Sequence, residues 1–134
     1  MIVDDELLNR TAMRNILQYN CKLDQSTEIH EAGDGEEAIR LIKNDVEQNG
    51  RCTYGLVLTD LSMPVVDGYQ ASTAIRQHLL DRGLTQPLIC AVTGHTEELY
   101  VNKAYKYGVN LVISKPVEHQ LLTRLIEKTG CFKL

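Results

Sequence analysis

Four short apolar runs in this chain each end at a polar side chain that could take part in chemistry. In chain order these side chains are Asp4 with Asp5, then Asp60, Thr93 and Lys115. If the runs are neighbouring parallel strands, their carboxyl ends meet at one edge of a sheet, where open α/β sheets bind their ligands. Carboxylates, a hydroxyl and an ammonium at one edge could together hold a divalent cation and a phosphoryl group.

The carboxylates of Asp4, Asp5 and Asp60 would repel one another if they were crowded at that edge. Two like charges ~4 Å apart repel by about 4 kcal/mol at an effective dielectric constant near 20, so one acid must be protonated or a cation must neutralise them. Mg²⁺ suits such a cluster, because it prefers oxygen ligands and binds through one or two carboxylates together with phosphate oxygens. An ionised aspartate beside Mg²⁺ can attack phosphorus, with Lys115 binding the phosphate and Thr93 donating a hydrogen bond to it.

Each of these residues, taken alone, has a simpler structural explanation. An Asp-Asp pair after a strand usually caps a helix and interacts with its dipole, and Asp60 could cap the next turn. Thr93 alone would more often be a strand-end hydroxyl, and Lys115 alone a solvated surface charge. Their placement after separate apolar runs favours one shared site over several unrelated structural roles.

Composition argues against several classes of function. Hydrophobic residues make up 43% and charged residues 24% of the 134-residue chain, as in ordinary globular proteins. The net charge of −4 without a long basic run argues against a nucleic-acid surface, and no apolar stretch approaches the ~20 residues of a membrane span. No glycine-rich phosphate-binding motif occurs, so nucleotide binding ranks last. The 4 cysteines are widely spaced, which predicts reduced thiols and a cytoplasmic location.

Apolar runs alternate with amphipathic stretches along the whole chain. The pattern predicts strands over 1–3, 27–32, 54–59, 88–92 and 111–113, and helices over 6–19, 36–49, 69–80, 96–107 and 117–128, with Gly130 as a stop. In the first helix an inward stripe is expected at Leu8, Ala12, Ile16 and Leu17. Right-handed crossovers then predict an α/β fold, a parallel sheet covered by helices on both faces, in a single domain over 1–134.

The sequence resembles the receiver domains of two-component response regulators over nearly its whole length. The strongest motif is Asp60-x-x-Met63-Pro64-x-x-Asp67-Gly68, and three shorter segments match in order: 2–6, 91–94 and 114–116. The segment Asp5-Glu6-Leu7-Leu8-Asn9-Arg10 is also similar to receivers attached to hybrid histidine kinases. This resemblance implies a flavodoxin-like fold, a five-stranded parallel sheet of order 2-1-3-4-5.

The resemblance also implies roles for individual residues around a bound Mg²⁺. Asp60 would be the phosphoacceptor; Asp5 would bind the metal directly and Asp4 through water. The backbone carbonyl of Ser62 would be a further ligand. The phosphoryl oxygens would be bound by Thr93 and Lys115, and the Lys115–Pro116 peptide bond is expected to be cis.

The chain departs from the family pattern at two places. Many receivers carry an aromatic residue three positions before the lysine, whereas this chain has Val112, so output is expected to rely on Thr93 and its loop. Receivers usually have more residues before the acidic pair, so the first strand is expected to be trimmed and weak. Ser62 and His95 occupy positions that flank the path of hydrolytic water in the family, and we expect them to tune the lifetime of the phosphorylated state.

The function implied is a signalling receiver that takes a phosphoryl group from a phosphohistidine onto Asp60 and is not a classical enzyme. Its donor would be a histidine kinase or a histidine phosphotransfer domain, with a fused kinase or output domain as a further partner. The domain itself would contact neither nucleic acid nor membrane, whether cytoplasmic on its own or as the cytoplasmic part of a larger membrane-linked protein. Two alternatives stay open. One is a degenerate receiver that acts only in protein interactions. The other is a Mg²⁺-dependent phosphohydrolase, although no clear acid follows two residues after Asp60.

Overall fold

A computed structural model describes residues 1–23 and 29–129 of the chain. Strands and helices alternate in the order β1 (Ile2–Val3), α1 (Leu7–Asn15), β2 (Glu31–Ala32), α2 (Gly35–Asn49), β3 (Leu56–Thr59), α3 (Gly68–Asp81), β4 (Leu88–Thr93), α4 (Glu98–Lys106), β5 (Leu111–Ser114) and α5 (His119–Thr129). The strands form one parallel sheet of order β2-β1-β3-β4-β5. The predicted fold class and strand order are confirmed.

The hydrophobic core lies on both faces of this sheet, because consecutive strand residues point to opposite sides. On β3, Val57 packs into a core formed with α2, α3 and α4, whereas Leu58 packs into a second core formed with α1 and α5. Cys90 lies in the second core with no exposed surface, as its apolar surroundings in the sequence predicted. The helices therefore cover both faces, and no helix of the described segments is long and apolar enough to cross a membrane.

The strands differ from their predicted bounds mainly at their ends. β1 has two residues and β2 is confined to Glu31–Ala32 at the sheet edge, while the predicted start of β2 at 27 and 28 lies outside the described residues, as does Gly130. β4 and β5 each run one residue further than predicted, so Thr93 and Ser114 are the last residues of their strands. The strand-end positions of the candidate site residues follow directly from these bounds.

The first helix is the clearest departure from the sequence-based expectation. A single helix over 6–19 is wrong, because α1 ends at Asn15 and the chain continues as a π-helical segment over Ile16–Asn20. The inward stripe is also wrong at its amino-terminal end: Leu8 is 82% exposed and Ala12 is exposed, whereas Met13 and Leu17 are buried. Arg10 and Arg14 of α1 instead form ion pairs with Glu31 on β2. A search for apolar periodicity does not detect arginines in such positions.

The helices α2 and α3 begin as their turn residues predict. Asp34 accepts a hydrogen bond from the Glu37 backbone N–H at 2.7 Å, and Asp67 accepts one from the Gln70 N–H at 2.9 Å. Each side chain satisfies a donor that the first helical turn leaves unpaired. α4 and α5 start two residues later than predicted, at Glu98 and His119.

Candidate functional site

The acidic pair lies immediately after the carboxyl end of β1, a strand that is flanked by β2 and β3. The Asp4 backbone N–H donates to the Ala32 carbonyl at 3.1 Å, which continues the pairing of β1 with β2. The Asp4 side chain is fully buried, and its Oδ1 accepts a hydrogen bond from the Glu6 N–H at 2.9 Å, while the next residue, Asp5, is exposed. This bond does not cap α1, because the N-cap of α1 is Glu6 and makes no side-chain capping bond, and the second carboxylate oxygen of Asp4 is left to the site.

Asp60 follows the neighbouring strand β3 and reaches the same edge. Its backbone N–H donates to the Val3 carbonyl at 2.9 Å, so the main chain of Asp60 is held beside β1. Its side chain is 13% exposed and accepts a hydrogen bond from the Ser62 N–H at 3.3 Å. Carboxylate oxygens of Asp4, Asp5 and Asp60 all lie within 4.8 Å of one another. The predicted acidic cluster is present.

Lys115 faces this cluster from the end of β5. Its Nζ lies 3.7 Å from Asp4 Oδ2 and 3.8 Å from Asp60 Oδ2, so one ammonium sits between two of the acids. The Lys115–Pro116 peptide bond is cis, as the family resemblance implied. The Lys115 backbone N–H also donates to the Thr93 carbonyl at 2.9 Å, which ties the lysine to the end of β4.

Thr93 is buried at the end of β4, with 2% of its surface exposed. Its Oγ accepts a hydrogen bond from the His95 backbone N–H at 3.0 Å, and its own O–H can still donate to another group. The His95 side chain is 61% exposed and its ring lies 5.2 Å from that of Tyr100 on α4. The β4–α4 loop therefore connects the candidate hydroxyl donor to the first turn of α4.

The charges of the cluster do not balance. The cluster holds three carboxylates, and one ammonium lies beside two of them, so the fully ionised set carries an excess of negative charge. Burial raises the pKa of Asp60, Lys115 opposes that rise, and the charge of Asp4 adds to it. Ionisation of Asp60 is therefore less favourable than that of a free carboxyl group, and a further cation at the site would favour it.

The donor set fits a magnesium ion. Asp4 Oδ2 is buried and has no hydrogen-bond partner within residues 1–23 and 29–129, and such a group calls for an ion or a water. Two oxygens bound to one Mg²⁺ at about 2.1 Å lie at most about 4.2 Å apart, so a cluster within 4.8 Å needs little movement to close on the ion. The cluster supplies the hard carboxylate oxygens that Mg²⁺ prefers.

The loop between β3 and α3 packs against the main chain of Asp60. A Cβ atom added at Gly68 would lie 2.1 Å from the Asp60 carbonyl oxygen, so only glycine fits against this part of the main chain. The Gly68 N–H donates to the Leu61 carbonyl at 3.1 Å. In the same loop the Val66 N–H bonds the Pro64 carbonyl at 2.8 Å across Val65, whose φ of +65° is a strained conformation for a β-branched residue.

Two residues at the site were not assigned any role from the sequence. Asn9 Nδ2 lies 3.5 Å from Asp4 Oδ1, and Arg10 Nη1 donates to the Asp4 backbone carbonyl at 2.7 Å. The only sequence signal for them was the Asn9-Arg10 pair in the segment that is similar to hybrid-kinase receivers. A contact from a side chain to a main-chain oxygen leaves no pattern of residue types.

β5 carries Val112 rather than an aromatic residue, and the valine is half-buried. An aromatic contact does occur elsewhere, between α3 and the end of α4. The rings of Tyr69 and Tyr107 lie 5.6 Å apart, edge to face, with Lys103 Nζ 4.2 Å from the centre of the Tyr69 ring. Tyr69 follows Gly68 directly, so this contact begins next to the loop that supports Asp60.

A parallel α/β sheet with clustered acids and a facing lysine at its carboxyl edge defines a class of domain whose site is chemically suited to a cation and a phosphoryl group. The family model of the response regulator receiver domain matches residues 1–127. The chain belongs to that family and is a receiver domain of two-component signalling.

The curated relatives are much longer proteins, and this chain matches only a part of each. The chain is 32% identical over 128 residues to two-component system protein A of Emericella nidulans, covering 96% of this chain and 17% of that protein. It is 29% identical over 133 residues to probable histidine kinase 2 of Oryza sativa subsp. indica, covering 94% of this chain and 12% of that protein. The chain thus spans less than a fifth of either relative.

Solved structures include receiver domains with bound magnesium. The receiver domain of the histidine kinase CKI1 from Arabidopsis thaliana, complexed with Mg²⁺, has a TM-score of 0.77 at 25% identity over 95% of this chain and 88% of that chain. The receiver domain of a sensor histidine kinase from Pseudomonas aeruginosa, with magnesium coordinated in its active-site cleft, has a TM-score of 0.75 at 25% identity, covering 96% of this chain and 94% of that chain.

Proposed function

We propose that this receiver takes a phosphoryl group from a phosphohistidine donor onto Asp60 in a Mg²⁺-dependent reaction. The observation that carries the proposal is the position of Asp60: its carboxylate lies within 4.8 Å of two other acids and 3.8 Å from Lys115. This arrangement holds a nucleophilic oxygen where a cation can neutralise both the acids and an incoming phosphoryl group. Residues 1–134 would act as one receiver domain.

Asp4, Asp5 and Asp60 would hold the magnesium ion, Asp5 directly and Asp4 through a water molecule, with the Ser62 carbonyl as a further ligand. The bound ion would neutralise the carboxylates and orient the phosphoryl group for attack. The buried Oδ2 of Asp4, which has an ion pair with Lys115 but no hydrogen bond within the described residues, supports this assignment, because a water bound to the ion would give that oxygen a hydrogen bond. The exposure of Asp5 fits a direct ligand that an ion can reach from solvent.

Lys115 and Thr93 would bind the phosphoryl oxygens. The Lys115 ammonium already faces Asp60, so it could contact an oxygen of the phosphoryl group once Asp60 is modified. Thr93 would donate its hydroxyl proton to another of these oxygens, and this would require the loop that begins at Gly94 to adjust. Because Thr93 accepts from the His95 N–H, its movement would be transmitted to the start of α4.

We propose α1 as the docking site for the histidine-containing donor, a histidine kinase or a histidine phosphotransfer domain. Leu7 and Leu8 on its first turn are 62% and 82% exposed, directly beside the acidic pair, so an apolar partner surface could bind there. A fused kinase or output domain would be a further partner, since the curated relatives are much longer than this chain. We place the reaction in the cytoplasm, a compartment in which the free thiols of Cys21, Cys52 and Cys90 would stay reduced.

The test is intact-mass spectrometry after incubation with Mg²⁺ and a small-molecule phosphodonor such as acetyl phosphate. We expect the wild type to gain the mass of one phosphoryl group, and we expect hydroxylamine to remove it, because hydroxylamine cleaves acyl phosphates. Asp60→Asn and an EDTA-treated wild type should both stay unmodified. A stable adduct on Asp60→Asn would show that another residue is the acceptor.

The same assay separates the proposal from its alternatives. Sustained release of phosphate from an external phosphoester, at many turnovers per protein, would instead identify a phosphohydrolase. A folded wild type that binds Mg²⁺ but gains no phosphoryl group, even from a phosphorylated histidine phosphotransfer domain, would identify a module that acts only in protein interactions. Lys115→Met is a matched variant that keeps Asp60 and is expected to lower the rate of adduct formation.

A further inference from the structure

Arg10 binds the main chain of the acidic pair rather than its side chains. Its Nη1 donates to the Asp4 carbonyl at 2.7 Å, while its Nε donates to the Glu31 carboxylate at 3.1 Å. The guanidinium of Arg10 is therefore held through two of its nitrogens, Nε and Nη1, and 18% of the side chain is exposed. Glu31 lies on β2, so Arg10 joins α1 and the sheet edge to the loop that carries the acids.

This contact fixes the peptide plane from which Asp5 projects. The carbonyl of Asp4 and the amide nitrogen of Asp5 belong to one rigid planar unit. The N–H of Asp4 is held by the Ala32 carbonyl at 3.1 Å and its C=O by Arg10, so the backbone entering Asp5 is held on both sides of Asp4. The direction of the exposed Asp5 side chain depends on that backbone.

We propose that Arg10 is a positioning residue for the magnesium site, acting through the Asp4–Asp5 peptide unit without touching the ion. The inference rests on the proposed function, since it assigns Asp5 as a direct ligand. Asn9 Nδ2 lies 3.5 Å from Asp4 Oδ1, whereas Lys115 pairs with the other oxygen, Oδ2, so Asn9 assists in holding the Asp4 side chain. The Asn9-Arg10 pair thereby acquires a physical role in the site.

Electrostatics and positioning predict opposite results when Arg10 loses its charge. A cation beside an anionic metal site repels Mg²⁺, so a bystander arginine would weaken binding and its removal would strengthen it. A positioning arginine would do the reverse, because the ligand oxygens would spread over more orientations in the variant. Loss of an outer residue that orients a ligand typically costs roughly 10- to 100-fold in metal affinity.

Arg14 provides the matched control. It also binds the Glu31 carboxylate from α1, but in the described part of the chain it does not contact Asp4. Arg14→Gln therefore removes the same charge and the same type of ion pair to β2 without releasing the Asp4 carbonyl. Arg10→Lys keeps the charge and could reach one of the two acceptors, but it lacks the fork that reaches both.

The experiment is calorimetric titration of the whole chain with MgCl₂, at constant ionic strength, on the wild type and the three variants. We expect Arg10→Gln to bind Mg²⁺ roughly 10-fold more weakly, Arg10→Lys to recover part of that loss, and Arg14→Gln to stay within about twofold of the wild type or bind more tightly. Circular dichroism establishes that each variant is folded. If Arg10→Gln does not fold, Arg10→Lys compared with Arg14→Gln carries the test.

Each remaining outcome decides against a specific part of the inference. Arg10→Gln binding Mg²⁺ as well as or better than the wild type would identify a bystander charge. Equal weakening by Arg10→Gln and Arg14→Gln would assign the effect to docking of α1 on β2. A wild type that binds no Mg²⁺ would overturn the metal site itself, whereas normal wild-type binding with an unaffected Arg10→Gln overturns the positioning role alone.

Discussion

The proposed attack of Asp60 on phosphorus needs an ionised carboxylate, yet the surroundings of Asp60 raise its pKa. Burial raises its pKa, and a nearby acid adds to the rise that Lys115 counteracts. The Lys115 ammonium, 3.8 Å from Asp60 Oδ2, carries one positive charge and cannot neutralise three ionised carboxylates. A bound cation would oppose this rise in pKa, so the proposed metal dependence of the chemistry and the raised pKa of Asp60 in the metal-free site have the same electrostatic cause.

This conflict predicts how Asp60→Asn changes stability with pH in the absence of metal. A carboxyl group whose pKa is raised above 3.8 on folding binds more protons in the folded chain, so the stability it contributes falls as pH rises through the window that begins near 3.8. The asparagine variant lacks this loss. In EDTA, we expect the variant to be more stable than the wild type at neutral pH, with a difference that shrinks toward pH 4, measured by urea unfolding at several pH values.

A second acid controls for the general effect of removing a negative charge. Asp81 is exposed at the end of α3, where it accepts a hydrogen bond from Gln77. Asp81→Asn should not reproduce the growing advantage of Asp60→Asn as pH rises. A metal-free Asp60→Asn that is less stable than the wild type at neutral pH would mean that the ion pair with Lys115 outweighs the repulsion and the burial.

At the scale of elements, the β3–α3 loop links Asp60 to two helices. Gly68 packs against the Asp60 main chain, and the next residue, Tyr69, reaches Lys103 and Tyr107 at the end of α4. Because β5 carries Val112 rather than an aromatic residue, the contact of Tyr69 with α4 is a second connection between the site and α4, besides the hydrogen bond between Thr93 and His95. Any displacement of the loop would therefore change both the packing of Gly68 against the Asp60 main chain and the contact of Tyr69 with the end of α4.

The close approach at Gly68 predicts a large effect from adding one methyl group. A Cβ there would lie 2.1 Å from the Asp60 carbonyl oxygen, and a backbone atom cannot move aside as a flexible side chain can. We expect Gly68→Ala to lower the free energy of unfolding by roughly 1–3 kcal/mol, measured by urea unfolding. Gly94→Ala is the control, since nothing lies within 4 Å of its added Cβ. Equal stability of the two variants would contradict the contact.

The elements also show what the sequence could and could not predict. The strand ends were predictable because buried parallel strands are continuous apolar runs, and parallel order brings their carboxyl ends to one edge. The inner face of α1 was not, because Arg10 and Arg14 flank Met13 and Leu17 and use their polar ends on Glu31. Apolar periodicity registers neither an arginine that binds β2 nor one that binds a backbone carbonyl.

At the scale of the whole molecule, the site exists only when the fold is complete. Asp4, Asp60 and Lys115 follow the ends of β1, β3 and β5. These strands are distant in the sequence and come together only when the sheet forms. An unfolded chain cannot hold the acids within 4.8 Å of one another. Ligand binding at the site must therefore be linked to folding of the sheet.

This linkage predicts that Mg²⁺ stabilises the domain through the site and not through general screening. A ligand that binds only the folded chain adds about 2.7 kcal/mol at a free concentration 100 times its Kd. We expect urea unfolding to show such an increment with MgCl₂ over NaCl of the same ionic strength, and we expect Asp5→Asn to lose most of it. Asp5 is exposed, so its replacement should leave the metal-free fold intact. An equal increment in the variant would place the bound Mg²⁺ elsewhere on the protein, because a site that depends on three strand ends cannot lose a direct ligand without losing affinity.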